Sequence, residues 1–147
     1  MDTSQPEPRL RALYQELILD HYRRPRNKGA LEHPTHSVAL TNPLCGDEID
    51  LHLLVEGDVI KDVRFIGRGC SISQASASMM TQVLKERPVP QALALAERMS
   101  AMIHGDDAAA KDAALGELRA LAGVSKFPVR VKCALLPWNA LTQAVKK

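Results

Sequence analysis

The sequence predicts an α+β fold, a small antiparallel sheet of about three strands with helices packed on one face. Three observations carry this. Apolar and polar residues alternate at period two in the first half of the chain, helix-period patterns follow in the second half, and a short turn joins two alternating runs as a hairpin. At 147 residues the chain fits one domain spanning 1–147. With 46% apolar and 24% charged residues it has an ordinary globular composition. It holds only two Phe, two Tyr and one Trp, so the core must be aliphatic.

Residues 1–8 are polar and Pro-containing and are read as disordered. From there Leu10, Leu13, Leu17 and Ile18, with Tyr14 and His21, recur at helical spacing. Pro25 ends that helix, because its ring disfavours helical geometry at the preceding residue. After a loop, His36 to Asn42 is a short strand candidate. Ile49, Leu51, Leu53 and Val55 alternate with more polar positions as in a half-buried strand. Glu56-Gly57-Asp58 reads as a turn, and Val59 to Ile66 as the returning strand, with Val63 and Phe65 facing inward. Ile72, Ala75, Met79, Met80 and Val83 then mark one side of a helix from Ser71, closed by Pro88 and Pro90. Gln91 to His104 is a second helix stopped by Gly105, and Asp112 to Ala122 a third ended by Gly123. Cys133 to Val145 forms the last, with Leu135, Trp138, Leu141 and Val145 on its apolar face. Pro137 falls in its first turn, where a missing donor costs little.

Charge and hydropathy exclude several function classes. Net charge is +2 with both signs interspersed, which leaves no large basic footprint for nucleic acid. The one basic run, Arg23-Arg24-Pro25-Arg26-Asn27-Lys28, reads as a solvated helix end, with partner docking as the sharper alternative. No apolar run approaches the ~18 residues of a membrane span, and no N-terminal apolar export segment is visible. A cytoplasmic, reducing setting is therefore expected, and three cysteines fit a disulfide framework poorly.

Each cysteine falls at a predicted element boundary. Cys45 lies in the loop Asn42-Pro43-Leu44-Cys45-Gly46-Asp47, where Gly46 lets the chain turn tightly between a thiol and a carboxylate. Cys70 closes Gly67-Arg68-Gly69-Cys70 and precedes a helix, whose unpaired N-terminal donors favour an anion. Cys133 follows Arg130-Val131-Lys132 and opens the last helix. Cys45, Asp47, Cys70 and Cys133 thus offer four ligands, enough for tetrahedral zinc, although thiolates also suit Fe–S clusters and copper(I). The bland reading is that of buried packing cysteines, since their spacing matches no zinc-finger pattern. The five histidines, none next to a cysteine, read as surface or satisfied structural residues. Met79, Met80, Met99 and Met102 read as core filling.

Three motifs in order, Asn42-Pro43-Leu44-Cys45-Gly46-Asp47, Gly69-Cys70-Ser71-Ile72-Ser73-Gln74-Ala75-Ser76-Ala77-Ser78 and Lys132-Cys133-Ala134-Leu135-Leu136-Pro137-Trp138, resemble the IscU/NifU-N family of iron–sulfur assembly proteins. The likeness runs from about Leu10 to the C-terminus. Within the family the chain looks like the SufU branch. Lys132 stands where IscU-type members carry His, Phe127-Pro128-Val129-Arg130 replaces their chaperone-recognition segment, and Arg130 matches the SufU pattern. The stretch between Cys70 and Cys133 is longer than in IscU-type members, and the SufU-type insertion is expected in helices within about 99–124.

The resemblance implies a three-stranded α+β fold and a Zn2+ ion held by Cys45, Asp47, Cys70 and Cys133, with Arg130 in support. It implies a zinc-dependent sulfurtransferase whose Cys45 accepts persulfide sulfur from a PLP-dependent, SufS-like cysteine desulfurase and passes it to downstream Fe–S assembly machinery. In this scheme a desulfurase His takes the place of Cys45 on zinc and frees the thiolate. Two alternatives stay open: a scaffold on which an Fe–S cluster is assembled and donated, and a non-catalytic structural zinc adaptor. Lys132 weighs against the scaffold, since an ammonium offers no lone pair to a metal.

Overall fold

The computed structural model describes residues 8–44 and 46–146, with side chains from Tyr14 onward. The disorder expected for residues 1–8 falls, Pro8 apart, outside the described residues. Helix α1 (Pro8–Arg23) stops before Pro25, as expected. At its end Arg24 and Arg26 pair with Asp20 at 3.3 and 2.7 Å. The basic run is thus partly spent on the helix it follows.

Strands β1 (His36–Asn42), β2 (Asp47–Glu56) and β3 (Val59–Arg68) form an antiparallel meander. The predicted turn joins β2 to β3, with Gly57 and Asp58 both at positive φ (57° and 65°). That backbone suits the twist of a two-residue hairpin loop. A bulge between Leu54 and Val55 shifts the register, so Val55 pairs with Ile60 and Leu53 with Val63. The extra residue lets both Ile60 and Val63 face the core, where strict alternation would bury only one.

The sheet is larger than the three strands expected. A two-residue β4 (Arg87–Pro88) pairs with β3 at the sheet edge. Glu86, at φ 63°, turns the chain there, and its N–H reaches Ile60 O at 2.7 Å. Pro88 is tolerated because an edge strand needs donors on one side only.

Helix α2 (Ser71–Leu84) departs from the one-sided pattern read from the sequence, because Ser73 to Thr81 are all buried. It lies at the centre of the molecule, touching α1, β3 and the last helix. Its small Ser and Ala residues permit that close approach, and hydroxyls find partners within it: Ser76 Oγ donates to Ala134 O at 2.7 Å. The central Met79 and Met80 are fully buried, as are Met99 and Met102.

Helix α3 (Val89–Ile103) starts two residues before Gln91, with Pro88 as its cap and Pro90 in its first turn. A short α4 (Asp107–Ala110) leads into a 3₁₀ segment, Ala113–Lys126, capped by Asp112 and kinked at Gly116. This segment runs through Gly123, the residue expected to stop it, and ends only at Phe127 before Pro128. Helix α5 begins at Pro128 and runs to Val145. Cys133 therefore lies inside α5 and does not open it. Pro137 falls in the helix interior, where it withholds the N–H that Cys133 O would otherwise accept. Among the described residues no helix is long and apolar enough to cross a membrane.

Candidate metal centre

The centre assembles where three elements meet: the start of β2, the entry to α2 and the second turn of α5. Along β2 the core-facing file is Asp47, Ile49, Leu51 and Leu53. A carboxylate thus occupies the first core-facing position, and Asp47 is 0% exposed. Burying a carboxylate is costly without donors or a cation. Among the described residues its partners come from Cys70 alone: the backbone N–H to Oδ1 at 2.8 Å and Sγ beside Oδ2 at 3.8 Å.

Gly69 makes this contact possible. A Cβ there would stand 2.9 Å from Asp47 Cα and overlap the carboxylate, and its φ of 146° favours glycine. Cys70 then caps α2, with Sγ accepting the Ser73 N–H at 3.5 Å. Cys133 is fully buried on α5, its Sγ 3.9 Å from Asn42 Nδ2 and 3.8 Å from Val129 O. The Ser76–Ala134 bond clamps α2 to α5 beside it.

Ligand atoms of Asp47, Cys70 and Cys133 all lie within 4.8 Å of one another. Around a tetrahedral zinc with Zn–S of about 2.3 Å, two sulfurs stand about 3.8 Å apart, so the set fits after a small contraction. The under-partnered buried carboxylate fits the same role. Cys45, the fourth predicted ligand and the predicted acceptor, lies outside the described residues. Its chain neighbours Leu44 and Gly46 are exposed, Leu44 at 75%. No histidine joins the cluster among the described residues. His21 is fully buried against Ser78 Oγ (2.7 Å) and Glu117 Oε1 (3.0 Å), and His52 bonds Leu31 N and Asp50.

Arg130 is exposed on α5 one turn before Cys133. Its pKa is raised, first by hydrogen bonding to Cys133 and then by the charges of Cys70 and Cys133, which places the guanidinium beside both thiols. Asn42 and Gly69 belonged to the quoted motifs without a predicted role. An Asn two residues before a backbone N–H it can bond was a readable turn signal. Its approach to Cys133 had no signal in the chain.

The family of the NifU-like N terminal domain matches residues 13–147. The chain belongs to this family. Among NifU-like relatives, the "Zinc-dependent sulfurtransferase SufU" of Bacillus subtilis is 48% identical over 141 residues, covering 94% of this chain and 92% of the relative. The "Iron-sulfur cluster assembly scaffold protein IscU" of Streptococcus pyogenes is 45% identical over 139 residues, covering 95% and 86%. A crystal structure from Fervidobacterium islandicum, assigned to iron–sulfur cluster scaffolding for the SUF system, matches with a TM-score of 0.80 at 34% identity, covering 91% of this chain and 97% of that one. The expected α+β fold and the SufU/IscU kinship are thus both borne out.

Proposed function

We propose that this chain is a zinc-dependent sulfur acceptor of iron–sulfur cluster assembly, working in the cytoplasm with a PLP-dependent cysteine desulfurase of SufS type. The observation that carries the reading is the convergence of Asp47, Cys70 and Cys133, drawn from three separate elements, to within 4.8 Å. The similarity to the Bacillus subtilis sulfurtransferase supports it. Cys45, Asp47, Cys70 and Cys133 are the proposed zinc ligands, and Cys45 is the proposed acceptor. Zinc, when bound, keeps its cysteine ligands deprotonated and shields them from oxidation.

The chain's own residues divide the remaining work. The Cys45 thiolate attacks the outer sulfur of the desulfurase persulfide. A new S–S bond forms on Cys45, the old one breaks, and the desulfurase thiolate leaves with the electron pair, so no net oxidation occurs. Cys133, fully buried, is shielded from the partner and serves as a holding ligand. Arg130 offsets the negative charge of the Cys70 and Cys133 thiolates and draws the anionic persulfide inward. Leu44, Phe127 and Val129, exposed at 75%, 63% and 69%, offer an apolar rim for the desulfurase.

Similarity to IscU-named scaffold proteins supports a second reading, in which an Fe–S cluster is built here as cargo and donated to apo-proteins. One experiment separates the two. Purified protein is analysed for metal, then incubated with desulfurase and free cysteine and examined by mass spectrometry. One zinc per chain and one added sulfur, mapped to Cys45 and lost in Cys45→Ala, is the expected result. A labile cluster transferable to an apo-ferredoxin, with no sulfur on Cys45, would favour the scaffold. Zinc with no sulfur and no cluster would leave only the structural adaptor.

A further inference from the structure

We infer that Asn42 is a positioning residue of this site, its side-chain amide tying the Cys133 sulfur to the end of β1, from which the chain runs on to the ligand Asp47. The inference rests on the zinc reading above. Asn42 ends β1 at a core-facing position, pairs with Asp47 across the ladder and is 7% exposed. Its amide has two jobs. Oδ1 accepts the Leu44 N–H at 3.3 Å, while the residue's backbone O accepts the Gly46 N–H at 2.9 Å. These bonds hold Leu44 and Gly46 against the end of β1. An N–H can meet only the oxygen of the amide, so Nδ2 must face the other way, toward Cys133 Sγ at 3.9 Å.

The consequence is preorganisation. Cys133 sits on α5 and Asp47 on β2, and among the described residues the side-chain hydrogen bonds of Asp47 run to Cys70. Among the described residues, Asn42 supplies a direct side-chain link between the end of β1 and the third cysteine. With that link in place, part of the ordering cost of bringing strand end and helix together is met before an ion arrives. An N–H bond to a sulfur also draws electron density from it, which favours Cys133 as a held ligand and leaves the acceptor role to Cys45.

The test uses full-length protein and zinc alone, titrated against a chromogenic chelator. Cobalt(II) substitution reports on the sulfur ligands. Asn42→Ala is expected to weaken zinc binding about fivefold, the worth of one ordinary hydrogen bond. It should also move the sulfur-to-cobalt charge-transfer band to lower energy. Asn42→Asp keeps the Leu44 acceptor, yet lacks the donor, and should show the same band shift. In metal-free protein, hydrogen exchange at Leu44 N–H should quicken in Asn42→Ala and stay near parent in Asn42→Asp. Parent-like affinity and an unmoved band in both variants would overturn the role of Asn42 while the parent's zinc binding still stood. A band shift in Asn42→Ala alone would reduce Asn42 to an acceptor for the Leu44 N–H and overturn the link to Cys133. A parent that binds no zinc would instead overturn the reading of the centre, and this inference with it.

Discussion

Gly69→Ala tests how the centre is built. The added methyl would meet Asp47 Cα at 2.9 Å and overlap the carboxylate, both parts of a buried strand start that has little room to retreat. Two costs add. Holding a non-glycine residue at φ 146° costs about 1–3 kcal/mol, and overpacking a well-filled site about 1–3 kcal/mol more. The sum, about 2–6 kcal/mol, is a large share of the ~5–15 kcal/mol that holds a domain folded. Gly57→Ala is the control. It also has positive φ (57°), but nothing lies within 4 Å of the added atom, so only the backbone cost of about 1–2 kcal/mol applies. Urea unfolding at constant slope reads both numbers. Zinc titration on the folded fraction should show Gly69→Ala impaired and Gly57→Ala unaffected. Equal, small losses in the two variants with parent-like zinc binding would mean that Asp47 does not depend on the missing side chain at residue 69.

Three further outcomes follow from the same contacts. Asp47→Ala should lower zinc affinity by at least about tenfold and reduce sulfur acceptance, read by chelator competition and mass spectrometry; unchanged values would remove Asp47 from the ligand set. His21→Ala breaks bonds to Ser78 and Glu117 in a fully buried position and should cost about 1–3 kcal/mol in urea melts while leaving zinc stoichiometry at the parent value. Asp112 has its pKa lowered from 3.8, first by the Ala114 N–H and then by Arg98. Its stabilisation is therefore complete above 3.8 and is lost as pH falls further, through its folded-state value. Asp112→Asn should be less stable than the parent at neutral pH, and the difference should shrink in acid below that value; a gap that widens there would contradict the assignment.

Local chemistry made several features legible. The Gly57-Asp58 turn, the alternation in β2 and Pro25 after α1 each act over a few residues, so the chain alone carries their signal. The same logic misread α2, because a pattern of Ile, Met and Val on one side says nothing about what covers the Ser and Ala residues on the other. It missed β4, whose two residues are strand only because β3 lies alongside. It placed the start of α5 at Cys133 because Pro137 looked like a first-turn proline, whereas Pro128 takes that position and the helix tolerates the second proline inside.

Residue types and their order made the kind of chemistry legible: three cysteines, one nearby carboxylate, no histidine adjacent to a cysteine, and a family resemblance set by three short motifs. Tertiary structure alone decided that Asp47 faces inward, that Cys70 and Cys133 meet it within 4.8 Å, and that Asn42 and Arg130 flank the same sulfurs. The reason is range. Turn geometry and strand period depend on neighbours along the chain, but ligand distances depend on how β2, α2 and α5 pack, and that packing is a property of the whole core.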